Sequence, residues 1–479
     1  MKLSKIDITH FRCFESLSIA LQPDVNVIVG INGAGKTSIL DAIAIALYEL
    51  VAALSDDNKR HRTMQGASLK ASDIYLDPNA SSAIEGRKAF VQVRATANDF
   101  YPAGDFPRPT LDGQSAALEW NQYISYQAPA RFTYAARTSD RLSDLYGYIQ
   151  SLWQEIRTSP KALIPLPVVA YYRATRRIGA MPELGDIFKL DLSQDKAYAN
   201  ALDAASNFTA MCQWFYLLEN AELRAKTQFH DLNAVRMALR HAIEGVERIY
   251  FDGSPPKLLV DVRERDGSLR SLELEQLSDG YRNLIALMLD FARRLAQTNP
   301  NFNNPLEAPG ILLIDEMELH LHPCWQQTVI PSLRQAFPNT QIIVTTHSPA
   351  VLTTVRREHI HLLGANHQFE HIPDDVGTYG AESSHVLAEV LGADSRPRCI
   401  DSVEKLNQYL GLIESRQHDT PTARSLRTEL ESAMGKSDPG LRRADLLIRH
   451  ITVLDGIDQN HVVRSTPTPH NDEAAMSCN

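Results

Sequence analysis

A glycine-rich loop near the start of the chain has the residue types and spacing that bind phosphate groups. The loop GINGAGKT matches the pattern G-x-x-x-x-G-K-[ST] at Gly30, Gly35, Lys36 and Thr37. Glycines let backbone N–H groups point at an anion, the lysine can reach the β- and γ-phosphates, and the threonine hydroxyl can bind Mg²⁺. A strand-like run at 25–29 precedes the loop and an apolar helical run follows it. These flanks favour a nucleotide site over a chance match in a loop.

Two adjacent carboxylates follow a second apolar run. Ile311–Ile314 predict a strand buried on both faces, and Asp315 and Glu316 come directly after it. Ligands of open α/β sheets bind at this carboxyl end of the strands. We therefore expect Asp315 to hold Mg²⁺, directly or through water, and Glu316 to polarise a water in line with the γ-phosphate. A strand that ends in a capping Asp-Glu pair is the alternative.

A histidine lies at the end of a third strand-like run, Gln341–Ser348. Ser348 and Pro349 have the pattern of a helix N-cap followed by a proline at the first helical position. That capping turn is compatible with a second role for the same segment. We expect the capping turn, and we expect His347 to lie near the γ-phosphate.

A second candidate anion site lies in QLSDGYR, residues 276–282, at the start of an apolar helix. Ser278 can cap the helix and donate its hydroxyl, Gly280 lets the backbone approach an anion, and the helix dipole favours negative charge. Asp279 adds a carboxylate near the expected anion, and either caps the helix end or contacts an opposing subunit. An N-capped core helix without a ligand is the alternative. Leu284, Met288, Phe291 and Leu295 follow at helical spacing.

The composition is that of a soluble globular chain with more than one lobe: 479 residues, 44% hydrophobic and 22% charged. A net charge of -10 argues against a protein that coats nucleic acid with its whole surface. The five cysteines form no C-x-x-C pair, which argues against a disulfide framework and fits a reducing cytosol. No apolar run reaches about 18 residues, so we expect no transmembrane helix and a cytoplasmic location.

The segments between the motifs predict the elements that position them. The N-terminus alternates like a strand, and 55–165 reads as a strand and loop insertion that contains KAFVQVRATA and ARFTYAAR. IPLPVVAYYRATRR predicts a central strand ending near Tyr172, and 180–255 predicts a helical lobe. Asp266-Gly267 predicts the turn of a hairpin that leads to Ser278.

The last quarter of the chain predicts helices. Helical runs fill much of 366–458, and the polar residues 459–479 predict a disordered tail. No D-x-D pattern follows residue 360, so the metal-binding acids of a Toprim nuclease are missing from this part of the sequence. No long heptad run separates the two candidate anion sites, which argues against coiled-coil arms.

As a set, these motifs resemble the ABC-type ATPases of the SMC, RecF and OLD group. GINGAGKT, ILLIDE, VTTHS and LSDGYR occur within 1–365 and correspond to that group's Walker A, Walker B, histidine switch and signature. The resemblance implies an α/β fold: an ABC-type P-loop NTPase head, with a mixed sheet and flanking helices, a helical lobe and a C-terminal helical extension. It implies ATP and Mg²⁺, with Glu316 and His347 in catalysis and Thr37 and Asp315 at the metal. The nucleotide-binding residues would be Arg12, Asn32, Gly33, Ala34, Gly35, Lys36, Thr37, Ser38, Ser278 and Gly280.

The same resemblance implies an assembly. In this group the signature loop binds the γ-phosphate of ATP held by a second subunit, so two chains enclose two ATP molecules. A homodimer or a higher even oligomer is expected, which ATP joins and hydrolysis loosens. HLHP, His320–Pro323, resembles the D-loop that crosses the dimer interface. Metal binding by its two histidines is the alternative, and no third ligand lies nearby in the sequence.

A narrower resemblance is to the PtuA family, the ATPases of Septu and retron-associated anti-phage systems, through the segment TYGA…RP at 378–397. It implies a separate HNH nuclease partner of the PtuB kind on the C-terminal helices, with a retron reverse transcriptase and its msDNA as further partners, and no membrane. A stand-alone DNA-repair ATPase of the RecF kind is the alternative, and it predicts a basic surface and salt-sensitive DNA binding. An ABC transporter motor is a third hypothesis, against which Asp279 and the large insertions count.

Overall fold

The computed structural model describes residues 1–55, 68–77, 90–98, 101, 117–125, 142–159, 163–174, 191–202, 208–264 and 266–463. The chain divides into two compact units, Met1–Leu391 and Gly392–Asn479. The predicted strand ARFTYAAR and the predicted tail from residue 464 onward lie outside the described residues.

The larger unit combines three sheets with helices. Its strands are β1 (Lys2–Phe11), β2 (Phe14–Ala20), β3 (Val25–Gly30), β4 (Phe90–Asn98), β5 (Leu118–Ser125), β6 (Val168–Tyr172), β7 (Val246–Asp252), β8 (Lys257–Arg263), β9 (Leu269–Glu273), β10 (Gly310–Ile314), β11 (Thr340–Thr346), β12 (Ile360–Leu363) and β13 (Phe369–Glu370). Its helices are α1 (Lys36–Leu54), α2 (Leu142–Thr158), α3 (Phe208–Ala225), α4 (His230–Ala242), α5 (Asp279–Thr298), α6 (Pro323–Gln326), α7 (Val329–Ala336), α8 (Pro349–Leu352) and α9 (Ser383–Glu389).

The six-stranded sheet positions the predicted motifs. Its order is β13-β12-β3-β11-β10-β6, and every neighbouring pair is parallel except β12 with β13. All residues of β3, β10 and β11 are buried, as expected for strands covered on both faces. Because the strands are parallel, the loops after β3, β10 and β11 emerge at one edge. The predicted α/β fold with a mixed sheet and flanking helices is confirmed.

The prediction that IPLPVVAYYRATRR forms a central strand is wrong in its position. This run forms β6, which lies at the edge of the six-stranded sheet. It is nevertheless fully buried, because residues 191–202 cover it. The backbone N–H of Tyr171 donates to the carbonyl of Ala201 at 2.8 Å, and the Tyr198 hydroxyl donates to the carbonyl of Pro167 at 3.0 Å. A covered edge strand therefore has the same apolar pattern as a central one.

Helix α1 lies in the core that joins two sheets. Its buried residues share one hydrophobic cluster with the antiparallel sheet β2-β1-β4-β5 and with one face of the six-stranded sheet. In the part of the chain that the structure describes, α1 is the one helix long and apolar enough to span a membrane, and most of it is buried inside the protein. The apolar helical run predicted after the glycine-rich loop therefore forms a helix that is mostly buried.

The opposite face of the six-stranded sheet is covered by α3, α4, α5 and α7, which share a second cluster. The apolar residues predicted at helical spacing along α5 are all buried: Leu284, Met288, Phe291 and Leu295. The antiparallel sheet β7-β8-β9 packs beside these helices and contains the predicted hairpin. Gly267 in its turn has a φ of 86°, a left-handed conformation that glycine adopts without strain.

Helix α5 also carries a buried ionic cluster. Asp290 is completely buried, and its carboxylate accepts hydrogen bonds from Arg293 Nη2, Arg294 Nε and the Tyr172 hydroxyl, each at 2.8 Å. Arg294 Nη1 also donates to the Ala197 carbonyl at 2.6 Å. The cluster therefore ties α5 to β6 and to the segment that covers β6.

The smaller unit contains the three helices predicted near the C-terminus, α10 (Asp401–Glu414), α11 (Pro421–Met434) and α12 (Pro439–Val463). The Thr420 side chain caps α11 by accepting from the backbone N–H of Ala423. Their apolar faces form one core: Leu406, Tyr409, Ile413, Ala423, Leu430, Leu441 and Ala444. Helix α12 also presents exposed apolar side chains on its surface, Leu446, Val453 and Leu454.

Candidate nucleotide site

The backbone of the glycine-rich loop, which follows β3, requires glycine at three places. Gly33 and Gly35 have φ values of 82° and 109°, in the left-handed region. A Cβ atom on Gly30 would lie 2.3 Å from the carbonyl oxygen of Leu363 in β12, and one on Gly35 would lie 2.6 Å from Cys13 Sγ. The loop is therefore shaped by close approach of neighbouring strands as well as by its turn.

Lys36 lies at the first position of α1 with its ammonium group inside this loop. Its Nζ donates to the carbonyls of Gly30 at 3.0 Å and Ile31 at 2.9 Å. Burial lowers the pKa of Lys36 below its ordinary value, and nearby carboxylates, Asp315 foremost, act in the opposite direction. Of the other residues predicted in the loop, Asn32 and Gly33 are exposed, Ala34 is buried and Ser38 is half-buried.

Thr37 and Asp315 meet, although they are far apart in the sequence. The Thr37 hydroxyl lies 3.1 Å and 3.0 Å from the two carboxylate oxygens of Asp315, and the Thr345 hydroxyl donates to Oδ1 at 2.6 Å. A hydroxyl and a carboxylate are the oxygen ligands that Mg²⁺ accepts together with water and phosphate. No group of three or more His, Cys, Asp or Glu residues is placed to hold a metal within the described residues. The pair would therefore suit a Mg²⁺ ion that keeps water and nucleotide ligands.

Glu316 follows directly and has an uncommon backbone. Its φ is 46°, in the left-handed region, where side chains larger than glycine are strained. Its backbone N–H donates to Thr345 Oγ1 at 2.8 Å. Since the same hydroxyl donates to Asp315, Thr345 fixes both acids, a role that the sequence did not suggest. Glu316 is half-buried beside the site.

His347 lies directly after β11 and is held by a residue that sequence reasoning missed. Glu318 accepts a hydrogen bond from the backbone N–H of His347 at 2.6 Å through Oε1. Through Oε2 it accepts one from the Thr346 hydroxyl at 2.7 Å. Burial, and then the charge of Lys36, lowers the pKa of His347 below its ordinary value. The environment therefore favours the neutral imidazole. In the sequence, Glu318 is the third carboxylate of DEME, and this position was the one feature that could have indicated a role for it.

The predicted capping turn after His347 is confirmed. Ser348 is the N-cap of α8, its hydroxyl accepts from the backbone N–H of Val351, and Pro349 occupies the first helical position. The Ser348 hydroxyl also donates to Gln326 Oε1 at 2.6 Å, and Gln326 Nε2 donates to the Leu321 carbonyl at 3.0 Å. The segment after β11 is thereby linked to the segment after β10.

The second candidate anion site differs from its prediction at Ser278. Ser278 occupies the N-cap position of α5 and is exposed, but its side chain makes no capping hydrogen bond. A Cβ on Gly280 would lie 2.2 Å from the carbonyl oxygen of His320, so the signature glycine packs on the D-loop-like segment. Tyr281 packs edge to face on Trp325 of α6, which follows that segment. The Ser278 hydroxyl is thus exposed at a helix N-terminus, where the dipole favours an anion.

Asp279 is paired within the chain. Its carboxylate accepts a hydrogen bond from Arg282 Nη2, one turn further along α5. Its side chain is exposed, whereas that of Arg282 is mostly covered. Asp279 therefore places a carboxylate and a neighbouring guanidinium side by side at the signature. The sequence did not suggest this ion pair, and a contact of Asp279 with an opposing subunit stays a prediction.

The two histidines of HLHP make contacts with nearby backbone groups. His322 is the N-cap of α6, and its Nδ1 accepts from the backbone N–H of Cys324 at 3.3 Å. His320 has a φ of 65° and contributes the carbonyl that contacts Gly280. The segment therefore connects the signature to α6 through the His320 carbonyl and the His322 ring.

Arg12 is bound by two carboxylates. Its Nη1 donates to Asp41 of α1 at 2.6 Å, and its Nε donates to Asp73 at 2.9 Å. Arg173, which directly follows β6, lies 2.8 Å from the same Asp41. The Tyr171 hydroxyl donates to Asp41 as well. Arg12 thus reaches the P-loop helix through Asp41, and its contact with a nucleotide stays a prediction.

Two protein-family models match the chain. Residues 174–353 match one described as AAA domain, putative AbiEii toxin, Type IV TA system. Residues 5–243 match one described as AAA domain. The two matches together include the glycine-rich loop, the Asp315-Glu316 pair and His347.

Several named proteins are similar in sequence. Retron Ec83 probable ATPase of Escherichia coli is 27% identical, over 92% of this chain and 85% of that protein. Retron Vc95 probable ATPase of Vibrio cholerae serotype O1 biovar El Tor is 24% identical, over 88% and 85% respectively. Septu protein PtuA of Bacillus mycoides (strain KBAB4) is 45% identical over a shorter region, 17% of this chain and 11% of that protein.

Proposed function

Because this chain is an ABC-type ATPase of the SMC and RecF group that resembles retron and Septu ATPases, we propose that it works as a nucleotide-controlled switch in anti-phage defence. Two copies would enclose two ATP molecules, and the ATP-bound dimer would regulate a separate nuclease or toxin effector. The observation that carries the proposal is the convergence of Thr37 and Asp315 beside Glu316, in a chain whose exposed Ser278 lies at a helix N-terminus.

Each residue has a role that its contacts support. Lys36 would bind the β- and γ-phosphates, and Thr37 with Asp315 would hold Mg²⁺, which neutralises phosphate charge when it is bound. Glu316 would orient and deprotonate the attacking water. His347 would donate a hydrogen bond to the γ-phosphate. These roles need one chain only, whereas Ser278 and Gly280 would serve the nucleotide of a second chain.

The ion pair at the signature gives a test of this composite site. Asp279→Asn should strengthen ATP-dependent self-association, because it removes a negative charge near the partner's γ-phosphate and frees the Arg282 guanidinium. Arg282→Ala should weaken it. For an exposed pair we expect changes of about two- to fivefold in the dimer dissociation constant. Sedimentation with ATP and Mg²⁺, with Glu316→Gln present to prevent turnover, measures both.

Asp375→Asn is the matched control, since Asp375 is an exposed acid of the same unit outside the signature. Changes in the same direction for Asp279→Asn and Arg282→Ala, or no change in either, would contradict a contact between the signature and a partner's nucleotide.

The effector would dock on the C-terminal helices. Their buried residues form one core, and α12 also exposes Leu446, Val453 and Leu454. Apolar side chains presented by a helix are a usual docking surface for a partner. An HNH nuclease of the PtuB kind is the partner that the resemblance favours, with a retron reverse transcriptase and its msDNA as further components. The complex would be cytoplasmic.

The test is purification of tagged Glu316→Gln protein from its native cell with ATP and Mg²⁺, followed by mass spectrometry. Glu316→Gln should hold the ATP-bound dimer, so a stoichiometric nuclease, or a reverse transcriptase with its nucleic acid, is the expected result. Recovery of the ATPase alone would contradict the defence proposal and favour a stand-alone DNA-repair ATPase. That alternative further requires DNA binding that weakens as salt is raised, and the net charge of -10 disfavours it.

A further inference from the structure

Glu318 has two hydrogen-bond acceptors, and both are directed at the segment that carries His347. Oε1 accepts from the backbone N–H of His347 at 2.6 Å, and Oε2 accepts from the Thr346 hydroxyl at 2.7 Å. Hydrogen bonds to a carboxylate are about twice as strong as those between neutral groups. The side chain is half-buried, so solvent screens these bonds only in part. Glu318 therefore clamps two consecutive residues.

The clamped segment is short and lies between two regular elements. Strand β11 ends at Thr346, and α8 begins at Pro349 with Ser348 as its N-cap. Only His347 separates the strand from the cap. The Thr346 hydroxyl accepts from the backbone N–H of Ser348 at 3.0 Å, so the bonds made by Glu318 continue into the capping turn. The orientation of His347 thus depends on a few bonds at its own backbone.

We propose that Glu318 is a positioning residue, which holds His347 in the orientation needed for ATP hydrolysis and acts only through it. The proposal rests on the function proposed above, in which His347 contacts the γ-phosphate. It assigns to the third carboxylate after β10 a task different from that of its two neighbours. Asp315 would bind the metal and Glu316 the water. Glu318 would instead orient His347, the hydrogen-bond donor at the end of the neighbouring strand β11.

Three substitutions separate positioning from charge and from general damage. Glu318→Ala removes both hydrogen bonds. Glu318→Gln keeps both, because the amide oxygen can accept from the His347 N–H and the amide nitrogen can donate to the Thr346 hydroxyl. Thr346→Val removes the bond to Glu318, and also the bond that Thr346 accepts from the Ser348 N–H, with little change of volume. It keeps the His347 N–H bound to Glu318. It also tests the clamp if Glu318→Ala fails to fold.

The experiment measures kcat and KM for ATP in the full-length protein with Mg²⁺. Glu318→Ala should lower kcat by about 10- to 100-fold, the effect of losing hydrogen bonds to a charged group, with KM little changed. Thr346→Val should lower kcat less, and Glu318→Gln should restore most of it. In a protein that already carries His347→Ala, adding Glu318→Ala should change kcat by less than about twofold, because the residues act as one unit.

The outcomes separate this proposal from the function on which it rests. If His347→Ala is slow and Glu318→Ala is as fast as wild type, the clamp is overturned and the role of His347 stands. If the fold reductions in kcat of the two single variants multiply in the double variant, Glu318 acts independently of His347 and the proposal is overturned. If His347→Ala itself hydrolyses ATP at the wild-type rate, both ideas fail. A Glu318→Gln protein as slow as Glu318→Ala would show that charge, rather than position, matters.

Discussion

Replacing Glu316 with Gln is expected to slow a single turnover of ATP hydrolysis by about 100- to 10,000-fold, the range for loss of a general base. The backbone N–H of residue 316 still reaches Thr345, and Gln is nearly isosteric with Glu, so the metal-binding pair Thr37 and Asp315 should keep its geometry. ATP binding should therefore stay near the wild-type level. The measurement is phosphate release after mixing excess protein with ATP and Mg²⁺, alongside equilibrium binding of ATP.

The matched control is Glu307→Gln, an exposed acid whose side chain bonds only Asn304 in the described residues. It should hydrolyse ATP as the wild type does. Equal rates for Glu316→Gln and wild type would overturn the assignment of Glu316. Loss of ATP binding in Glu316→Gln would instead show that this acid supports the P-loop rather than the water.

Replacing Asp290 with Asn is expected to lower the free energy of unfolding by about 3–5 kcal/mol, because it leaves buried charges without a counter-ion. Arg293 and Arg294 are both buried and both bind this carboxylate. Asp279→Asn is the matched control on the same helix, since Asp279 also pairs with an arginine but is exposed. It should cost less than about 1 kcal/mol.

Urea unfolding followed by tryptophan fluorescence, without nucleotide, measures the difference. All four tryptophans lie in residues 1–391, so the signal reports the unit that contains α5. Similar midpoints for Asp290→Asn and Asp279→Asn would contradict the cluster as a source of stability.

The same cluster around Asp290 predicts how the free energy of unfolding depends on pH. Burial alone raises the pKa of Asp290, but Arg294 and Arg293 outweigh it, so its pKa lies well below the ordinary value. A lowered folded-state pKa means that the unfolded chain binds the proton more readily. The stabilisation is then complete above the unfolded-state pKa of about 3.9 and is lost only as pH falls below it.

The residues that a motif places next to a strand end could be predicted from the sequence. Lys36, Thr37, Asp315 and His347 each follow a recognisable run, and parallel strands bring such residues to one edge. Thr345 and Glu318 could not be assigned in this way. Their contacts depend on the register of β10 with β11, in which Ile314 faces Val344. A single sequence does not specify that register, so it does not show which threonine meets which acid.

Helix ends and buried charges set a second limit on prediction. Ser278 has the residue type and position of an N-cap, yet its side chain makes no capping bond, because position alone does not fix a rotamer. Asp290, Arg293 and Arg294 read as the polar face of an amphipathic helix, and residues 191–202 bury that face. Burial of this kind comes from a distant segment, which local periodicity does not reveal.

The left-handed backbone at Glu316 implies a conflict between thermal stability and ATP hydrolysis. A left-handed residue other than glycine costs about 1–2 kcal/mol, and this cost falls on the one side chain assigned to the attacking water. Directed evolution for heat resistance alone would therefore favour Glu316→Gly, which relaxes the backbone and removes the carboxylate. A library screened only for survival at high temperature would enrich inactive proteins at this position, so any thermostabilised variant of this ATPase has to be selected for turnover as well.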